Sequence, residues 1–199
     1  MFEDVIKHYP DFPVPGIDFI DVLPFLHDKA AFNQAIRQID AWTTAPNVAT
    51  VEARGFLFGA PLLSASDRVQ TLVPFRKKGK LPHAEGDLVR VEIEKEYGSD
   101  ELYYRLSDFA ACVPTPLRPS ATSPCEGEEC IEVTILDDLL ATGGTVDGIV
   151  RSLQQQTIEG RKLRIKEFIF LVELPALGGR KLLEPVAPVH SLLSLEGVE

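Results

Sequence analysis

Asp137 and Asp138 stand side by side in "ILDDLLATGGTVDGIV", followed after two leucines by Ala141, Thr142, Gly143, Gly144 and Thr145. Ionised carboxylates accept hydrogen bonds and donate none, so an adjacent pair suits a vicinal diol or a hydrated metal ion, not a phosphate. The small residues beyond them do the opposite. With no side-chain bulk at the glycines, backbone N–H groups can close on an anion, and the hydroxyls of Thr142 and Thr145 add donors. A sugar phosphate satisfies both halves, while an ordinary acidic turn capping a helix remains compatible with the same residues. Neither G-x-x-x-x-G-K-[ST] nor G-x-G-x-x-G occurs, which disfavours P-loop and dinucleotide sites.

Such groups need a rigid platform, and the flanking pattern predicts one. Residues 131–136 are a β-branched run of the kind buried on both faces of a sheet, expected to end at the acids. Val146, Ile149, Val150 and Leu153 then recur at helical spacing, with Asp147 in the first turn where the helix dipole favours a negative charge. The glycines therefore fall between a strand and a helix, the place where an open α/β sheet holds its ligand. Upstream, "YPDFPVPGIDFIDVLPFL" is too rich in proline for a helix and reads as an extended arm over residues 1–27. Asp28 caps a helix with Phe32, Ala35, Ile36 and Ile39 on one face. Strands are expected at residues 48–51 and in "VQTLVPF", and the later part of "EARGFLFGAPLL" as helix. "LVRVEIEKEYGSDELYYRL" alternates around Gly98, Ser99 and Asp100 as a hairpin projecting from the main sheet. "EFIFLVEL" completes a βαβ pattern, so the fold class is α/β, a mostly parallel sheet flanked by helices. Residues 108–130 lack periodicity and read as a long surface loop.

The 199 residues, 45% of them hydrophobic, form one domain with ample core. No apolar run approaches the roughly 18 residues of a membrane span and the start is acidic, so a cytoplasmic location is expected. A net charge of −10 is a poor footprint for a nucleic-acid binder, which makes the local cluster Arg76, Lys77, Lys78 and Lys80 conspicuous. Cys112, Cys125 and Cys130 form no even set and no C-x-x-C pair, and are expected as reduced thiols, although a Cys125–Cys130 pairing in "CEGEEC" is sterically conceivable.

The stretch "VTILDDLLATGGT" closely resembles the sugar-diphosphate signature of the type I phosphoribosyltransferases. "YPDFPVPGIDFIDVLPFL", "VEARGFLFGAPL", "VPFRKKGKLP", "EKEYGSDEL" and "FLVELPALGGRKL" narrow the resemblance to the adenine phosphoribosyltransferase family, in the family's order and over most of the chain. That resemblance implies a mostly parallel sheet with a small N-terminal hood, and the Mg²⁺-dependent conversion of adenine and 5-phosphoribosyl 1-diphosphate to AMP and diphosphate. It implies that Asp137 and Asp138 hold the ribose hydroxyls, with Mg²⁺ nearby but held mainly through substrate. Residues 141–145 would wrap the 5′-phosphate, and Arg54 would bind diphosphate. Arg76, Lys77 and Lys80 would reach the diphosphate of a neighbouring subunit in a homodimer, leaving Lys78 as the most solvated of the cluster. Residues 79–106 would be a mobile active-site loop carrying Glu96 and Tyr97, with Glu96 managing the proton on adenine N7. Phe19 would stack on the purine, and backbone groups of Asp18 and Ile20 would read its polar edge. Two departures stand out. Ile20 occupies a position where many members carry a charged side chain, and residues 108–130 are longer than the usual connection.

Two other functions are compatible with parts of this pattern. A regulator on the same fold could bind such ligands without turnover, although the acidic chain leaves no room for a DNA-binding module. A 6-oxopurine transferase would place a base-site lysine at the carboxyl end of a late strand, whereas Lys162 and Lys166 precede "EFIFLVEL".

Overall fold

Along "EFIFLVEL" Phe168 and Phe170 enter one core while Ile169 and Leu171 enter another, because successive side chains of a strand point to opposite faces. The same sorting separates Ile135 from Leu136 and Ala49 from Val48. A sheet buried on both faces with helices over each is the result. The computed structural model describes residues 2–94, 99–111 and 130–196.

A turn of 3₁₀ helix (Phe2–Asp4) precedes β1 (Lys7–Pro10) and β2 (Asp18–Asp21), an antiparallel pair of its own, and a second 3₁₀ turn follows at Leu23–His27. Next come α1 (Lys29–Trp42), β3 (Asn47–Val51), α2 (Arg54–Ala65), β4 (Thr71–Lys77), β5 (Leu88–Glu94), β6 (Ser99–Arg105) and α3 (Leu106–Ala110). The remainder is β7 (Cys130–Leu140), α4 (Gly144–Gln154), β8 (Thr157–Ile158), β9 (Arg161–Glu173), a 3₁₀ turn at Pro175–Leu177, α5 (Gly179–Leu183) and β10 (Val189–Ser194). The main sheet has the order β10-β9-β7-β3-β4-β6-β5, with β8 paired to β9. From β10 to β4 all pairings are parallel, and the β5–β6 hairpin joins the β4 edge antiparallel.

Packing follows the periodicity of each element. Asp28 accepts hydrogen bonds from the N–H groups of Ala30 and Ala31, and α1 buries Ala35, Ile36 and Ile39 against the core beneath the hood. That core also takes Ile6, Ile20, Val22 and Phe25 from the N-terminal segment, so the hood is fixed to the body by its apolar side. On the opposite face α4 buries Val146, Ile149, Val150 and Leu153.

Several expectations change. β7 does not end at the acids: Asp137, Leu139 and Leu140 still pair with Phe170, Val172 and Glu173 of β9, which carries the ladder beyond the apolar run. β9 begins at Arg161, so Lys162 and Lys166 lie inside its amino-terminal half. Pairing of Glu94 with Ser99 moves Ser99 and Asp100 from the expected turn into β6, and the connection falls at residues 95–98, outside the described residues. The hairpin joins the sheet through two residue pairs at the end of β4, Arg76 with Tyr103 and Lys77 with Leu102, and buries Val91, Ile93, Leu102 and Tyr104 in the α4 core. The arm is a short hairpin flanked by 3₁₀ turns instead of a plain extended strap. Asp108 sits in α3, and residues 112–129 of the expected loop are outside the described residues. Cys130 is disulfide-bonded, where a free thiol is expected from the sequence, and Cys112 and Cys125 lie outside the described residues. β10 was not anticipated. Among the described residues no helix is long and apolar enough to cross a membrane.

Candidate functional site

The chain leaves β3 toward β4 on one side and later leaves β7 toward β9 and β10 on the other, so the connections diverge between β3 and β7. In an open α/β sheet the crevice at that switch point, at the carboxyl ends of the strands, is where ligand binds. β3 delivers Arg54 there, at the start of α2, and β7 delivers Asp137 and Asp138. Arg54 Nε lies 2.7 Å from Asp138 Oδ2, an ion pair without hydrogen-bond alignment, so this buried oxygen keeps acceptor capacity. Close approach of the two elements depends on Gly55: a Cβ there would stand 3.3 Å from Asp137 Oδ1 and from the Leu136 carbonyl.

Both carboxyls of the acid pair are shifted by their surroundings. Burial, and then the charge of Asp138, push the Asp137 carboxyl well above the ordinary range. Burial also raises Asp138, against the opposing pull of Arg54. Asp137 Oδ1 accepts from the Asp138 N–H at 2.9 Å, which fixes the first carboxylate against its own backbone. Hydroxyl donors or a cation arriving with a ligand would relieve both groups.

Beyond β7 the chain turns through residues 141–143 into α4. Gly143 takes a left-handed φ of +82° and no side chain caps the helix, which leaves the first-turn N–H groups of α4 for an anion. Thr142 is exposed, while Gly144 and Thr145 are half-buried. The acids and this loop thus form one continuous edge of the crevice.

The hood faces them. Phe19 and Ile20 lie in β2, and the Arg54 guanidinium is 5.2 Å from the centre of the Phe19 ring while its Nη1 donates to the Ile20 carbonyl at 3.3 Å. The Ile20 side chain itself is 2% exposed and belongs to the core beneath the hood. Asp18 pairs with His8 across the hairpin, His8 Nδ1 to Asp18 Oδ2 at 2.8 Å. Arg54 therefore ties the hood to the acid pair.

Of the basic cluster, Arg76 and Lys77 are organised by Glu52, which sequence reasoning overlooked. Glu52 accepts from Arg76 Nε at 3.1 Å and from the Lys77 N–H at 2.9 Å. Burial pushes this carboxyl up, but those hydrogen bonds outweigh it and hold Glu52 below the usual range. Arg76 also lies 5.8 Å from the Phe56 ring centre and donates to the Lys80 carbonyl. Lys78 is the solvated member, 79% exposed and 3.9 Å from Glu101. Glu96 and Tyr97 lie outside the described residues. Lys162 and Lys166 are not at the crevice, and Lys166 pairs with Glu132 at 3.3 Å.

Comparison with known proteins supplies the family. The chain is 36% identical to an adenine phosphoribosyltransferase of Rhizobium meliloti over 196 residues, 96% of this chain and 93% of the relative, and 37% identical to one from a Chelativorans species over the same length. The chain belongs to the adenine phosphoribosyltransferase family. Among solved structures, the family's enzyme from Thermoanaerobacter pseudethanolicus superposes with a TM-score of 0.75 at 34% identity, covering 98% of this chain and all of the other. The Saccharomyces cerevisiae adenine phosphoribosyltransferase, solved with an imino-altritol bisphosphate and adenine, gives 0.71 at 29% identity, with 96% of each chain covered. No protein-family model matches the chain. Gly179, whose N–H donates to the Ala141 carbonyl, and the Glu173–Arg180 pair beside it were also missed; the double glycine in "ALGGR" was the available signal.

Proposed function

We infer that the crevice between β3 and β7 transfers a 5-phosphoribosyl group from 5-phosphoribosyl 1-diphosphate to N9 of adenine, giving AMP and diphosphate. The observation that carries this reading is the conjunction, along one edge, of Asp137 and Asp138 with the open amides of the Gly143 loop, faced by Arg54. In this assignment the acid pair accepts hydrogen bonds from the ribose 2- and 3-hydroxyls, and residues 141–145 take the 5′-phosphate. Arg54, with its rigid guanidinium fork, receives the diphosphate. That role requires it to give up Asp138, the Ile20 carbonyl and the face of Phe19, freeing the hood for the purine. Phe19 then supplies a stacking ring and the Asp18 and Ile20 backbone the polar contacts. As the N9 lone pair forms the new bond to C1, the C1–O bond breaks and its electrons leave with diphosphate; Glu96, supported by Tyr97, accepts the proton that the base loses from N7.

Mg²⁺ fits this site through substrate. Among the described residues no cluster of three or more His, Cys, Asp or Glu side chains is arranged to hold a metal, yet Asp138 Oδ2 is a buried acceptor without a hydrogen bond. The acid pair would therefore stand close to an ion bound mainly by sugar and diphosphate oxygens, and the ion would neutralise charge on the departing diphosphate. The cluster of Arg76, Lys77 and Lys80 reaches the diphosphate of a second copy, so the working unit is a homodimer. A 6-oxopurine transferase is disfavoured by the placement of Lys162 and Lys166. The test is a spectrophotometric assay of purified protein with sugar diphosphate and Mg²⁺ against adenine, hypoxanthine and guanine. Adenine is expected to be preferred by about 10²-fold or more, since the wrong base buries unpaired donors and acceptors; preference for a 6-oxopurine would overturn the reading.

A further inference from the structure

The segment after β9 carries an arginine and two glycines that the assignment above does not use. Glu173, the last residue of β9, is 3% exposed, a degree of burial that a carboxylate tolerates only with a partner. The partner is Arg180, in α5: its Nε and Nη2 donate to the two carboxylate oxygens at 2.7 and 2.5 Å. Such a bidentate fork fixes orientation as well as charge. Arg180 Nη1 donates further to the Val189 carbonyl at 2.9 Å, and Ser191 Oγ donates to Glu173 Oε2 at 2.9 Å. The start of α5 is thereby fastened to the end of β9 and to the first half of β10.

Gly179, next to Arg180, is what this fastening holds in place. Its N–H donates to the Ala141 carbonyl at 3.1 Å. A Cβ at position 179 would lie 2.3 Å from that oxygen and 2.9 Å from the Gly143 nitrogen, and a Cβ at position 143 would lie 3.2 Å from the Gly179 Cα. Two glycine backbones are in direct contact, one in the phosphate loop and one beneath it. A loop of this kind has wide backbone freedom, and at Gly143 no side-chain cap restrains it, so its order must come from a neighbour.

We propose that Glu173 and Arg180 are positioning residues for the 5′-phosphate site: their fork seats Gly179 under residues 141–143 and so aims the loop's amides at the phosphate. The proposal rests on the functional reading of that loop given above. It predicts selective damage. In Arg180→Lys, which keeps the charge but loses the fork, the phosphate contribution to binding should fall while the nucleoside contribution stays.

Dissociation constants for AMP and for adenosine, measured on wild type, Arg180→Lys and Gly179→Ala, separate these contributions. Wild type should bind AMP more tightly than adenosine. Arg180→Lys should lose at least about tenfold for AMP, and little for adenosine, on the scale expected when a binding group is misplaced by a fraction of an ångström to one ångström. KM for the sugar diphosphate should rise in parallel, with KM for adenine nearly unchanged. A purely structural role would lower the active fraction and leave the AMP-to-adenosine ratio untouched. Arg180→Lys, with native circular dichroism and a wild-type ratio, would overturn the proposal, whatever the folding yield of Gly179→Ala. Equal binding of AMP and adenosine by wild type would overturn the phosphate-loop reading itself.

Discussion

Asp137 is held above the ordinary carboxylate range by burial and then by Asp138, and that has a sign that can be checked. A carboxyl with a raised folded-state value binds its proton more tightly in the native chain than in the unfolded one. Stability therefore falls as pH rises from the unfolded value through the folded one. Asp137→Asn keeps an oxygen for the Asp138 N–H and removes the penalised charge. Thermal unfolding should place its midpoint a few degrees above wild type at neutral pH, with the gain shrinking toward pH of about 4. A variant no more stable than wild type at neutral pH would contradict the assigned electrostatics. Phe19 makes a second test: Phe19→Ala removes the ring under Arg54 and, in the proposed complex, under adenine. KM for adenine should rise roughly tenfold, the loss of one stacked ring, without any gain in hypoxanthine use. At this scale the acid pair and the glycines were legible because adjacency in sequence is adjacency in space. Arg54 touching Ile20, 34 residues away, was not legible, and neither was burial of the Ile20 side chain. Both depend on where the hood lands.

Elements were read best where periodicity was long and regular. The α4 stripe and the Asp28 cap of α1 came out as expected because the helix repeat and the cap chemistry are local. The end of β7 was misplaced because charged residues look like a strand end. What continues the strand is the backbone ladder to β9, which does not depend on side-chain polarity. The base of the hairpin follows the same logic. Its apolar alternation signalled two strands, but their attachment depends on a contact no local pattern encodes, that of α4 with the β5 backbone. A Cβ at Gly148 would stand 2.9 Å from the Glu92 carbonyl. Gly148→Ala should thus push β5 from α4 and destabilise the fold by about 1–3 kcal/mol, the range for overpacking. Urea unfolding measures this, and a variant as stable as wild type would mean that the hairpin can shift freely on α4.

For the whole molecule, the order of strands makes the site. Parallel β3 and β7 lie side by side while their outgoing connections diverge, so residues 54 and 137–138 meet although more than eighty positions separate them. Alternating strand and helix patterns suggested such a sheet, but not which strands are neighbours. The proposed sharing of Arg76 across a homodimer also belongs to this scale. Mixing Arg76→Ala subunits with Asp137→Asn/Asp138→Asn subunits should restore part of the activity, because a hybrid pair keeps one intact composite site. If verified subunit exchange restores none, the sites do not share residues in this way. The central claim, adenine transfer at the β3–β7 crevice, is tested most directly by the rate of AMP formation from adenine, sugar diphosphate and Mg²⁺ in wild type and in Asp137→Asn/Asp138→Asn. Wild type should turn over, and the double variant, with unchanged circular dichroism, should be slower by about 10²-fold or more, the usual cost of removing preorganised electrostatic contacts. Equal rates in the two proteins would place the chemistry elsewhere and contradict the account.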